Sequence, residues 1–394
     1  MSVPEGLVEE ARQLAPEVIA LRRELHAEPE VGLALPDTQA RLVTRLRALG
    51  LEPELGASLG SIVARIDGAR PGPVRLLRAD MDALPMTEET DLPFASRRPG
   101  AMHACGHDAH MAMALGAAEL IVRHRDDLAG AVVLMFQPGE EGHDGARRML
   151  AEGFLERHGV DAAFAIHIFS NLPSGVIATR GGALMASADE FEIRLVGKGG
   201  HASAPHQARD PIPAAAELVL ALQSALGRRI DPVEPAVLTV GHLAAGTTFN
   251  VIPEHALVRG TWRAVTDETR SAIRSLIERV ASGVATAHGL EVELSWPMNG
   301  YPVTRNDPRE AAHVLELTRS VLGADHALEL ENPILGAEDF SYVLQRVPGA
   351  MAFLGAAPPG VAEPHANHSN RMVLDEDAFA IGVAIEAAWA LDDR

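Results

Sequence analysis

Apolar positions recur along this chain with two different periods, and the switching between them divides it into elements. Val18, Leu21 and Leu25 keep one helical face, and residues 40–49 repeat the pattern before Gly50 supplies a C-terminal stop. Residues 61–66 alternate as a strand. A Gly/Pro turn is expected from Gly68 to Pro73, and a second strand from Val74 to Ala79 then runs into Asp80-Met81-Asp82. An alanine-rich helix is predicted from His107 to about His124. Residues 130–136 and 162–168 are continuous apolar runs, the signature of strands buried on both faces. Strands alternating with helices predict an α/β fold, in which sites form beyond the carboxyl ends of the strands.

The pattern changes at about Ala186. Strand 190–196, helix 212–226, strands 236–241 and 255–263, helix 267–288 and strand 290–296 follow in the order βαββαβ, which predicts a ferredoxin-like α+β sandwich. Thr266 is placed to cap the second of these helices and Gly289 to end it. Residues 186–302 therefore read as an inserted domain. Residues 1–185 and 303–394 form one discontinuous domain around it, completed by helix 308–322, the segment Glu338-Asp339-Phe340-Ser341, strand 351–354, the loop His365-Ala366-Asn367-His368-Ser369 and a last alanine-rich helix.

Composition narrows the classes. A length of 394 residues exceeds one ordinary core and supports two domains. A net charge of −20 argues against nucleic acid or an anionic membrane as partner. The single cysteine excludes intrachain disulfides. With neither a hydrophobic signal segment nor an apolar run of about 18 residues, a cytoplasmic location is expected. Seventeen histidines against two tyrosines favour ligation and proton transfer over aromatic binding platforms.

The chemistry centres on Met102-His103-Ala104-Cys105-Gly106-His107-Asp108-Ala109-His110, where the cysteine, three histidines and an aspartate occupy nine positions. A lone cysteine is ordinarily a small buried hydrophobe, but four metal-capable side chains in one loop reverse that reading. Cys105 and His107 are two apart, so an extended entry into the helix would point both at one centre. Other strand ends add candidates. Asp80 and Asp82 serve either the site or the turn. In Gln137-Pro138-Gly139-Glu140-Glu141-Gly142 the adjacent glutamates diverge, so one can hold a metal while the other handles a proton. His167 would be a satisfied core residue if taken alone, and His26 reads as structural. With His365 or His368 these residues exceed the ligands of one tetrahedral zinc. Two ions about 3.5 to 4 Å apart would use them all. Glu140 would then shuttle the proton in amide hydrolysis without a covalent intermediate. The glycine-rich Gly199–His206 segment offers His201 to an oxyanion, or is simply a loop entering a helix. Two rival readings are a cysteine amidase, with Cys105 as nucleophile and His107 or His110 as base, and a non-catalytic metal-binding protein.

Taken together, Arg78–Pro85, the 102–110 segment, Phe136–Glu141, Gly199–His206, Asn250-Val251-Ile252-Pro253, Gly260-Thr261-Trp262-Arg263 and Gly336–Ser341 resemble the M20 metallopeptidase superfamily. The similarity is to its amidohydrolase branch, the hippurate hydrolase and indole-acetyl-amino-acid hydrolase group. The resemblance implies a zinc-peptidase-like α/β catalytic domain interrupted by a lid and dimerisation domain, hence a homodimer or higher homo-oligomer. It implies two divalent ions, zinc or manganese, with cobalt or nickel suiting the same donors, held by Cys105, His107, Glu141, His167 and His368. Glu140 becomes the general base and acid, His201 an oxyanion donor in its own or the neighbouring subunit, and Asn250 and Arg263 binders of the substrate carboxylate. The implied reaction cleaves N-acyl amino acids, hippurate-like, acetylated or aryl-acetylated. The chain departs from the family in having Ala109 for Gly, Gly139 for Ala and Asn370 for Pro. Arg78 stands where peptidase members carry a metal-binding histidine.

Overall fold

The apolar runs expected to be strands become the middle of an eight-stranded sheet in a computed structural model that describes residues 3–297 and 300–393. Residues 1, 2, 298, 299 and 394, which fall inside the expected domains, lie outside the described residues. The chain divides into two compact units. One takes in residues up to Leu184, Arg305–Asn332 and Asp339 onward; the other takes in Met185–Thr304 and Pro333–Glu338. The short segment 333–338 joins the second unit because its backbone bonds there. Ala186 N–H reaches the carbonyls of Ile334 and Gly336 at 3.0 and 2.9 Å, and Thr304 Oγ1 donates to Glu338 O at 3.3 Å.

In the first unit the strands run in the spatial order Glu54–Leu55, Ile62–Asp67, Ala129–Gln137, Arg70–Asp80, Ala162–Phe169, Gly349–Gly355, Ile177–Thr179, Ala327–Glu329. The middle four are mutually parallel, with antiparallel neighbours outside them. The strand beginning at Arg70 absorbs much of the turn expected at 68–73, its register shifting between Arg70 and Val74. From Arg70–Asp80 one connection leads to Ala129–Gln137 on one side, and the next crosses to Ala162–Phe169 on the other. That reversal is a topological switch point, where the carboxyl ends of parallel strands leave a crevice. Register brings the ends level: Asp80 lies opposite Gln137, and His167 opposite Phe353.

The helix that follows the 102–106 loop, His107–Arg123, is buried along nearly its whole length, between the sheet and the helices Leu7–Ala27 and Phe379–Leu391. Its alanines and Gly116 allow that close approach. A Cβ on Gly116 would stand 2.9 Å from methyls of both Val18 and Val383, closer than packed carbons tolerate. Among the described residues no helix is long and apolar enough to cross a membrane.

The second unit builds an antiparallel sheet in the order Ala236–Ala245, His255–Ala264, Asp189–Val196, Glu291–Ser295. Helices Pro211–Arg229 and Asp267–Ala287 pack on it through Leu218, Leu222, Ile273 and Ile277. Numbered along the chain the order is 2-3-1-4, the ferredoxin-like arrangement expected from βαββαβ. The strand expected at 236–241 continues to Ala245 past a bulge at Val240/His242. Thr266 Oγ1 caps the second helix by accepting from Thr269 N at 3.2 Å, and Gly289 ends it at φ +64°.

Candidate active site

The loop before the buried helix does not enter it extended, as the two-residue spacing of Cys105 and His107 suggested. Gly106 turns the chain in a left-handed conformation, φ +89°, and His107 already opens the helix. A Cβ on Gly106 would fall 2.4 Å from an Ile168 methyl. Only glycine satisfies both the turn and the contact. The turn achieves what extension was expected to do, because the donor atoms of Cys105, His107 and His167 all lie within 4.8 Å of one another.

Both imidazoles in this cluster have their direction fixed from behind. His107 Nδ1 donates to the carbonyl of Asp82 at 2.7 Å, leaving Nε2 buried and without a hydrogen-bond partner. His167 Nδ1 donates to the carbonyl of Ile168 at 2.9 Å, so its Nε2 lone pair faces Cys105 Sγ at 3.4 Å. Both rings thus spend Nδ1 on a backbone carbonyl and turn Nε2 towards the cluster, the orientation that ligation requires. His110 is different. Its Nδ1 donates to Asp80 Oδ1 at 2.6 Å and its Nε2 accepts from Ile168 N–H at 2.8 Å, so it has no free nitrogen for a metal or a thiol proton.

On the other side of Cys105 stand Glu141 and His368. His368 Nε2 lies 3.3 Å from Cys105 Sγ and 3.2 Å from Glu141 Oε1. Its backbone adopts φ +69°, costly for a residue other than glycine, and its N–H donates to Ala104 O at 2.7 Å. His365 makes no such approach; its carbonyl accepts from Ser170 Oγ, and the late-loop histidine at the cluster is His368. Glu140 is buried beside Glu141. Asp82 accepts both of their backbone N–H groups, Glu140 at 2.9 Å on Oδ1 and Glu141 at 3.1 Å on Oδ2. Asp82 is therefore more than a turn residue: it holds the glutamate pair in place.

The electrostatics fit cations. Burial keeps His167 neutral, its pKa pushed well below the ordinary histidine value. Burial also opposes charge on His107, yet the carboxylates of Asp80, Asp82 and Glu141 outweigh it and raise its pKa. Burial pushes Asp82 up to about 6. Asp80 is held well below the usual carboxylate range against its burial, by Arg78 and the imidazoles of His107 and His110. Arg78, where a metal-binding histidine was noted as missing, donates to Asp80 Oδ2 at 2.7 Å and Gln137 Oε1 at 2.9 Å, and reaches Asp339 Oδ1 at 3.3 Å. A sulfur with two imidazoles on one side and an imidazole and a carboxylate on the other is a donor set that could hold first-row divalent ions such as zinc.

Of the residues expected at a site, Cys105, His107, Glu140, Glu141, His167 and His368 thus meet in the first unit. His201, Asn250 and Arg263 belong to the second. There His201 sits in a two-residue strand paired with Val251–Ile252; its Nδ1 accepts from Ser203 N at 3.1 Å, and Asn250 O accepts from the Ala202 N–H at 3.2 Å. Arg263 is half-buried on the strand His255–Ala264, opposite Val237. His26 is structural in a definite sense: fully buried, it bonds Asp108 Oδ2 at 2.7 Å and Glu88 Oε1 at 3.2 Å behind the site. Asn367 and Asp339 were not singled out by sequence reasoning, although both lie within motifs that were.

Comparison with known proteins places the chain in a family. Residues 76–392 match the model of "Peptidase family M20/M25/M40". Thermostable carboxypeptidase 1 of Saccharolobus solfataricus is 40% identical, covering 99% of each chain. N-acetyl-L-cysteine deacetylase of Bacillus subtilis is 37% identical over 93% of this chain and 85% of its own. The crystal structure of the Bacillus subtilis YXEP protein, a dinuclear metal-binding peptidase from the M20 family, superposes with a TM-score of 0.82 at 34% identity, covering 96% of this chain and 98% of that one.

Proposed function

This chain belongs to peptidase family M20/M25/M40 and is a metal-dependent amide hydrolase; from that premise we propose that its substrates are N-acyl amino acids. The observation that carries the proposal is the position of Cys105 Sγ, between His107 and His167 on one side and Glu141 and His368 on the other, with Glu140 beside them. In this reading Cys105, His107 and His167 would hold one divalent ion, and Cys105, Glu141 and His368 would hold a second. Bound there, the ions supply the Lewis acidity that polarises an amide carbonyl and acidifies water. Glu140, held through its backbone by Asp82, accepts the proton of the attacking water and returns it to the leaving nitrogen. Hydroxyl adds to the acyl carbon, the C–N bond breaks, and carboxylic acid and amine result.

We assign the remaining roles to residues of the second unit, as the sequence resemblance implies. With Nδ1 of His201 accepting from Ser203, the ring proton sits on the exposed Nε2, a donor suited to a developing oxyanion. Arg263 and Asn250 receive the α-carboxylate of the leaving amino acid. A carboxypeptidase and an N-acetyl-cysteine deacetylase support this choice, since both cleave an amide whose nitrogen belongs to an amino acid with a free carboxylate. A charge-assisted contact of this kind contributes about 1.5–3 kcal/mol, or roughly 10- to 100-fold in kcat/KM.

The test is a panel of acetyl, benzoyl and indole-acetyl amino acids, each paired with the amide of the corresponding decarboxylated amine, assayed before chelation, after it, and after restoring single metals. Activity should vanish on chelation, return with zinc or manganese, and favour the carboxylate-bearing partner of each pair by at least about tenfold. Equal turnover within the pairs would remove the amino-acid specificity. Chelator-resistant activity abolished by alkylating Cys105 would replace the metal mechanism with a thiol nucleophile.

A further inference from the structure

Asn367 occupies an unusual place, beside a ligand in sequence and against two others in space. Its Nδ2 donates to the carbonyl of Cys105 at 3.0 Å and to the carbonyl of Ile168 at 2.9 Å. Its Oδ1 accepts from the backbone N–H of Ser170 at 3.1 Å, and Ser170 Oγ lies at the same distance. The Ser170 hydroxyl also reaches the carbonyl of His365, at 2.7 Å. The carbonyl of Ile168 is the one that receives His167 Nδ1 and so decides which nitrogen of His167 faces Cys105. One amide side chain therefore touches the main chain of Cys105, the group that orients His167, and the strand end leading away from it, while its own backbone continues into His368 at φ +69°.

We infer that Asn367 is a positioning residue for the metal pair, locking the three separate segments that bring Cys105, His167 and His368 together. The inference rests on the dinuclear reading of the site and assigns a role within it. Side-chain chemistry makes the assignment specific. Both amide hydrogens are spent on carbonyls and the amide oxygen on an N–H, so the site needs two donors and one acceptor from a single planar group. Asparagine meets that need. Aspartate has the same shape but offers only acceptors, and it would face the Cys105 and Ile168 carbonyls with negative charge. Alanine would leave both carbonyls and the Ser170 N–H without their partner. Loss of an outer partner of this kind typically weakens metal binding about 10- to 100-fold.

The experiment compares wild type, N367D and N367A as full-length chains. Each is loaded with cobalt and followed through the thiolate-to-cobalt charge-transfer band, and the retained metal is then measured against a graded series of chelators. Thermal unfolding of each metal-free protein is recorded alongside. Both variants should lose metal at chelator strengths roughly 10- to 100-fold below those wild type withstands. The charge-transfer band should weaken or shift, and N367D should be no better than N367A despite its closer shape. Wild-type retention and an unchanged band in N367D would overturn the inference, as would a variant that loses thermal stability without losing metal. If wild type itself shows no thiolate band and binds no second ion, the dinuclear reading fails instead, so the two failures are told apart.

Discussion

Glu386 offers a measurement of burial energetics that involves none of the proposed catalytic or ligand residues. It lies on the last helix, Phe379–Leu391, only 2% exposed, and its Oε2 has no hydrogen-bond partner. Burial alone pushes its carboxyl well above the usual range, because the charged form has lost water and gained nothing in return. The sign follows from linkage. Between the unfolded pKa near 4.3 and the raised folded value, the native state binds one proton that the unfolded chain does not. Stability therefore declines by about 1.4 kcal/mol per pH unit across that interval. Gln keeps the shape of the protonated acid and cannot ionise. At pH 4.5, E386Q and wild type should agree within about 1 kcal/mol. As pH rises, the variant should gain on wild type by about 1.4 kcal/mol per unit until the folded carboxyl titrates. Urea unfolding followed by tryptophan fluorescence, at half-unit steps from pH 4.5 to 8, reads the difference directly, and the titration of every other group cancels in the comparison. A difference that stays flat across this range would refute the reasoning, since it would mean that Glu386 finds solvent or a partner in the native state.

Two further outcomes follow from the site and its support. Asp108 is fully buried, ion-paired at 2.8 Å with Arg22 Nε and hydrogen-bonded at 2.7 Å to His26 Nδ1, and although burial opposes its charge these cations hold its carboxyl far below the usual range. D108N strands a buried guanidinium and should cost about 3–5 kcal/mol in chemical unfolding. That cost is fully present above the ordinary carboxylate pKa and shrinks as pH falls towards the folded value; a loss under about 1 kcal/mol would mean that Glu376, 3.3 Å from Arg22, suffices alone. E140Q should lower kcat by about 10²- to 10⁴-fold with two metal ions per chain still found by elemental analysis, and unimpaired turnover would take the proton shuttle away from Glu140.

How much of this was legible in the sequence depends on what each feature is made of. The parallel strands could be read because burial on both faces leaves uninterrupted apolar runs such as Val132–Phe136, and the second unit because its two helices and four strands each keep a clean period. The edges were less visible. Ile177–Thr179 and Ala327–Glu329 are three residues long, too short for any period to register. The return of residues 333–338 to the second unit rests on bonds to its backbone carbonyls, which no side-chain pattern in the segment marks. The Gly106 turn was misread as extended because alternation along the chain and a left-handed corner give the same two-residue spacing.

The candidate ligands were legible because thiol, imidazole and carboxylate are rare enough to be noticed when they crowd a strand end. What aims them was not. His107 is turned by the carbonyl of Asp82, His167 by the carbonyl of Ile168, and His368 is fixed through the carbonyl of Ala104; every residue carries such a carbonyl, so no motif marks the ones that matter. The carboxylates show the same division. Asp80 and Asp82 leave one strand end two residues apart, yet Arg78 and His110 hold the first ionised, while burial pushes the second up to about 6 as it accepts the N–H groups of Glu140 and Glu141. One carboxylate balances charge and the other holds a loop, from the same residue type in the same motif. A sequence therefore reveals which groups can bind a metal, and the fold decides which of them are free to do so: His110, as good a ligand by composition as His107, is occupied at both nitrogens.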